Sequence, residues 1–160
     1  VSRRNLLRFF TIPGLIITPL VFWYASHSNP TLFTVDLPAL GMAQWEITTF
    51  HVGIFLVGLF TVAQFSYWGN YLPLVYPVHL RGTGESFAMN IGGRLIGTSL
   101  CGVTLLTAAQ LSPSGEGAEV RDAAAQMVAL VAAGLTLAIY IIIHAMTFIL
   151  PEPKEEEIER

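Results

Sequence analysis

The chain reads as an all-α integral membrane protein with four transmembrane helices and both termini cytoplasmic. Three observations predict this. Hydrophobic residues make up 53% of the chain and charged residues only 12%, about half the charged share of a soluble domain. Four apolar runs each reach the roughly 20 residues that cross a hydrocarbon core about 30 Å thick. The charges, Arg94 excepted, sit at the ends and in the short breaks between those runs.

The runs cover residues 6–26, 50–76, 86–109 and 123–150 within a single membrane domain. Backbone groups in hydrocarbon must be satisfied internally, so runs of this length are helices. Pro13, Pro19 and Pro73 predict kinks or early ends. The first run lacks a small-residue cleavage site, so it reads as a span and not as a secretory leader.

Orientation follows from the basic residues. Arg3, Arg4, Arg8, Arg81, Lys154 and Arg160 fall on one side of the four spans, and Arg121 falls on the other. By the positive-inside rule the first side is cytoplasmic. Trp23, Tyr24 and Trp45 lie near the opposite boundary, where aromatic rings favour the interface. The outer loop, 27–49, contains no Lys or Arg. Its stretch around Leu37 to Trp45 is too apolar for free solvation. It either lies along the outer membrane surface or packs on the helix ends. Residues 151–160 form an acidic cytoplasmic tail.

Several function classes are excluded by what the chain lacks. There is no basic patch for nucleic acid. Cys101 is the single cysteine, so no intramolecular disulfide forms. The four histidines are far apart in sequence, which supports neither a metal site nor a cofactor. No nucleophile motif or phosphate-cradling loop is present, so the chain is not read as an enzyme.

The polar break between the second and third runs reads Tyr76-Pro77-Val78-His79-Leu80-Arg81-Gly82-Thr83-Gly84-Glu85-Ser86. It resembles the loop between the tenth and eleventh helices of major facilitator superfamily transporters, which ends in Arg-Gly-x-Gly. Ser2-Arg3-Arg4 is similar to the end of the basic loop before that family's ninth helix. Leu150-Pro151-Glu152-Pro153-Lys154 resembles the Pro-Glu-Thr-Lys element that closes its last helix. The order and spacing of these marks match helices nine to twelve, over nearly the whole chain. Two departures stand out. Leu74 replaces the family's acidic residue, and His79 is all that remains of its second basic residue.

The resemblance implies part of a secondary active transporter that moves a small organic solute by alternating access, with a proton as a coupling partner the family allows. It also implies a cytoplasmic latch, for which Arg81, Glu85 and His79 are the candidates. Twelve spans in two halves surround a midplane site in such proteins. Four spans therefore imply a fragment, whose partners are the remaining helices and the bilayer, and a bacterial inner membrane as location. The alternative is a non-transporting four-helix subunit that scaffolds a larger membrane complex.

Arg94 is the outstanding candidate for substrate contact. It lies near the middle of the third run, where an arginine costs about 2.5–3.5 kcal/mol on insertion scales. A guanidinium facing a cavity pairs with a carboxylate through two parallel hydrogen bonds. The opposing reading is a buried ion pair. Asn90 lies one turn before Arg94 and is a second candidate. On the second span Gln64, Tyr67, Trp68 and Tyr71 share one face by their spacing. Gln64, Tyr67 and Tyr71 could touch substrate or could glue helices together. Gly93, Gly97 and Cys101 recur every four residues and read as a packing stripe. His144, with Tyr140 one turn earlier, is a weaker candidate for proton relay.

Overall fold

The computed structural model describes residues 3–37 and 42–150. The acidic tail, Ser2 and the tip of the outer loop lie outside the described residues. Helix α1 spans Arg3–His27 and α2 spans Thr49–Val75. A 3-10 turn, Val78–Leu80, leads into α3, Arg81–Ala88. The helix then continues through a π-wound stretch, Met89–Ile96, into α4, Gly97–Leu111. Helix α5 spans Ala118–Met146.

Four of these helical stretches are long and apolar enough to cross a membrane: Arg4–His27, Thr49–Val75, Val78–Leu111 and Ala118–Met146. At about 1.5 Å per residue, the 24, 27 and 29 residues of the first, second and fourth exceed the hydrocarbon thickness. The four spans fit an integral, multi-pass membrane protein. Pro13, Pro19 and Pro73 are all accommodated inside helices, as neighbouring helices in membranes permit.

The all-helical expectation needs one correction. Residues 31–48 contain an antiparallel hairpin, β1 (Thr31–Leu37) paired with β2 (Met42–Thr48). The outer connection is thus paired strands on either side of residues 38–41, which lie outside the described residues. The reason is legible after the fact. Phe33, Val35, Trp45 and Ile47 alternate with Thr34, Asp36, Glu46 and Thr48, which is the period of a strand with two unlike faces. The base is clamped onto α2. The Thr49 amide donates to the Pro30 carbonyl (3.1 Å), and the Phe50 amide donates to Asn29 Oδ1 (3.1 Å). These bonds satisfy first-turn donors that have no partner within the helix.

Helix α1 is the hub of the packing. It runs antiparallel to α2, with Val21 against Gly53 and Leu7 beside Tyr67 and Tyr71. It also runs antiparallel to α5, with Gly14 against Tyr140 and Arg8 beside Thr147. The third span is reached from both sides, as α3 contacts α2 and α4 contacts α5. The hairpin therefore lies at the end opposite the 76–86 turn.

The exposure pattern is inside-out. Phe55, Val62, Leu106 and Ile149 are all exposed, while Thr11, Thr18, Gln64 and Thr147 are buried. A water-soluble bundle would reverse this, whereas lipid tails accept apolar residues on the outside.

Candidate functional site

The third span positions its residues by an irregularity. Arg94 stands 16 residues after Val78 and 17 before Leu111, at the middle of the span. It lies inside the π-wound stretch. Such stretches are rare and occur often at functional sites. Gly92 and Gly93, without side chains, let the backbone take this winding. Asn90 Nδ2 donates to the Ser86 carbonyl (2.8 Å) and Ser99 Oγ to the Leu95 carbonyl (2.6 Å). These side chains bond the helix's own carbonyls on either side of Arg94.

Arg94 itself is exposed, and no ion pair reaches it among the described residues. A shallow depression of about 510 Å³ lies one to three turns before it. Gly82, Thr83, Ser86, Phe87, Asn90 and Ile91 line it. Asn90 and Arg94 are thus on an open part of the molecule, close to each other along one helix.

Gln64, Tyr67 and Tyr71 are elsewhere. They are the buried residues of α2, together with Gly53. Tyr67 stacks on Tyr71 with ring centroids 5.3 Å apart, and Trp68 meets both edge-on. The rings close around Leu7, with Leu72 and Leu150 beside them. In this arrangement the stripe serves helix packing. The Nε2 of Gln64 is buried and has no hydrogen-bond partner among the described residues, which costs about 1–3 kcal/mol.

The break read as a loop over 76–86 is mostly helical: only Tyr76 and Pro77 lie outside the 3-10 turn and α3, so Arg81, Gly84 and Glu85 stand in the first turns of α3. Arg81 Nε donates to the Tyr76 carbonyl (3.4 Å). A Cβ on Gly84 would fall 2.6 Å from the Tyr76 ring, so only glycine lets the turn close on that ring. Glu85 is half-buried and His79 exposed. No bond between either and Arg81 is present among the described residues. Arg81 is therefore held by the backbone it follows, at one end of the third span.

The small-residue stripe is open among the described residues. A Cβ added to Gly92, Gly93 or Gly97 would have no neighbour within 4 Å, and Cys101 is exposed. No group of histidine, cysteine and carboxylate side chains able to hold a metal occurs among the described residues.

A polar seam between α1 and α5 was only half visible in the sequence. Arg8 Nε donates to Thr147 Oγ1 (3.2 Å), and the Arg8 guanidinium lies 4.3 Å from the Phe148 ring centre. Thr11 Oγ1 is 3.5 Å from His144 Nδ1. Tyr140 OH reaches Thr61 Oγ1 on α2 at 3.4 Å. The i, i+4 spacing of Tyr140 and His144 marks one side of the seam. Nothing in the sequence pairs it with Arg8 and Thr11. No family model, curated protein or solved structure matches this chain, so its own residues carry the functional reading.

Proposed function

We propose that this chain is the carboxyl-terminal, four-helix part of a secondary transporter of the major facilitator type. It serves alternating-access movement of a small organic solute, with organic anions favoured, across a bacterial inner membrane. One observation carries this reading: Arg94 stands uncovered at mid-span, on a glycine-rich, π-wound helix. Leaving a guanidinium against lipid is costly. An open position therefore calls for a cavity or a partner helix with an acceptor. The 76–86 segment agrees, because Arg81, Gly82 and Gly84 are the residues that resemble the family's loop.

A second reading, a non-transporting scaffold subunit, is favoured by the α1–α5 seam, which spends polar side chains on helix packing. The two separate on one measurement. The complete reading frame that contains this chain is reconstituted in liposomes, and uptake of labelled mono- and dicarboxylates is followed. Arg94→Lys keeps the charge but loses the planar fork. Weaker substrate binding in Arg94→Lys, and weaker still in Arg94→Ala, supports the anion site. Unaltered affinity in both folded variants removes it. Absence of further spans in the reading frame favours the scaffold.

A further inference from the structure

We infer that the hairpin is an amphipathic ribbon whose apolar face seats on the lipid headgroup–acyl boundary beside the spans it joins. In an antiparallel ladder, directly opposed residues share a face. Phe33 opposes Ile47 and Val35 opposes Trp45, while Thr34 opposes Glu46. One face is thus Phe33, Val35, Trp45 and Ile47. The other carries Thr34, Asp36 and Glu46. A register shift between Thr31 and Phe33 makes Leu32 an extra residue and returns Thr31 to the polar face. Thr31 Oγ1 accordingly donates to Glu46 Oε2 (2.9 Å).

A two-stranded ribbon is marginal in water unless one face is covered. Here the apolar face is open: Phe33 is 56% exposed and Trp45 is 46% exposed. Three observations identify lipid as the cover. The bonds from Thr49 and Phe50 to Pro30 and Asn29 fix the base at the ends of two spans. The Trp45 ring meets His51, in the first turn of α2, edge-on at 5.7 Å, so it lies at the level where that span begins. An apolar groove of about 400 Å³, lined by Ile17, Leu20, Val21, Trp23 and Phe50 among others, opens at the same end between α1 and α2. The groove is lined at its end by Thr49 and Phe50, the residues that bond the ribbon's base, so the apolar surface of the spans reaches that base. The carboxylates of Asp36 and Glu46 lie on the far face, so seating the ribbon desolvates no charge. Trp and Tyr favour this depth, where an apolar ring and a polar edge are both satisfied. The seat requires only that the chain spans a membrane, whatever it carries.

The test uses the full chain in phosphatidylcholine vesicles. Trp23→Phe and Trp68→Phe leave Trp45 as the sole indole. Lipids brominated near the headgroup should quench its emission about twofold or more over lipids brominated near the acyl terminus. Aqueous iodide should quench it little. A second measurement does not depend on replacing Trp68. In a Cys101→Ser background, nitroxides are placed one at a time by Phe33→Cys, Thr34→Cys, Val35→Cys and Glu46→Cys. Collision with oxygen should dominate at 33 and 35, and collision with a water-soluble nickel chelate at 34 and 46. Full iodide quenching, or chelate access at all four sites, would show a ribbon standing in water and overturn the inference. Shielding of 33 and 35 from both collision partners would show a protein cover, another copy or further helices, and would overturn it equally.

Discussion

Gly14 and Gly53 are small because a neighbouring helix occupies the space their side chains would need. A Cβ at Gly53 would come within 2.6 Å of Val21 Cγ1, and one at Gly14 would collide with Tyr140 Cε1. Val21 is stiff at χ1, and Tyr140 is buried with its hydroxyl on Thr61, so neither neighbour yields freely. Gly53→Ala and Gly14→Ala should each destabilise the bundle by about 1–3 kcal/mol. Gly58→Ala, which meets nothing within 4 Å, should be neutral or stabilising by up to about 1 kcal/mol. Unfolding in mixed micelles would read the contrast, and equal effects at all three sites would contradict the packing described. Gln64 gives a sharper residue-level test, because its Nε2 has no hydrogen-bond partner among the described residues. Gln64→Leu should hold or raise stability, since it removes a buried donor that costs about 1–3 kcal/mol. Its effect on solute affinity then tells whether that donor is reserved for a ligand.

At the scale of elements, α2 depends on a residue outside it. Asn29 Oδ1 accepts from the Phe50 amide at 3.1 Å and from Thr49 Oγ1 at 3.4 Å. Asn29→Ala should cost about 1 kcal/mol, the usual value of a helix N-terminal cap. Amide exchange should quicken in the first turn of α2 and at the hairpin base, and not in α5. Uniform exchange across the chain would mean that the clamp is not local. How much of each element is legible in the sequence follows from its physics. The four spans are plain, because length and unbroken apolarity allow one backbone solution in lipid. Their bounds differ from those read in the sequence, most at the third span, which begins at Val78 and not at residue 86. Helix α5, for example, starts at Ala118, with Glu119, Arg121 and Asp122 forming its solvated first turns. The hairpin is missed because apolarity marks where a segment lies and not whether its backbone pairs. The alternation that marks it is interrupted by the register shifts at Leu32 and after Val35. The π winding is foreshadowed only by Gly92-Gly93, and paired glycines more often signal packing. Seam and stripe fail for another reason: which helix faces Thr11 or Gln64 is a tertiary fact that spacing along one helix does not contain.

For the whole molecule, the antiparallel packing of α1 on α2 and α5 puts the hairpin and the 112–117 connection at one end. The basic residues then predict the side. In a Cys101→Ser background, cysteines introduced by Ser28→Cys and Ser114→Cys should both react with an impermeant maleimide added outside intact cells. Labelling of both only after permeabilisation would reverse the orientation. The open stripe belongs to this scale too. A Cβ at Gly97 meets nothing within 4 Å among the described residues, so Gly97→Leu extends a side chain outward from an open position. If further helices close over the third span, this substitution should lower the yield of the full-length protein in size-exclusion profiles. An unchanged profile would mean that lipid, and not protein, faces Gly97.

The winding of the third span has a mechanical consequence. Between Met89 and Ile96 the hydrogen-bonded ring is one residue larger than in the helices on either side. Each residue there advances the chain through a smaller angle about the axis. A return of this stretch to ordinary α pitch would therefore act as a screw. It would turn α4, and the Ala108 side that is buried in the bundle, relative to α3 without bending the span. The guanidinium of Arg94 sits inside the thread. An anion that gripped it and favoured one winding over the other would convert a local change of pitch into rotation of a whole half-span against α5.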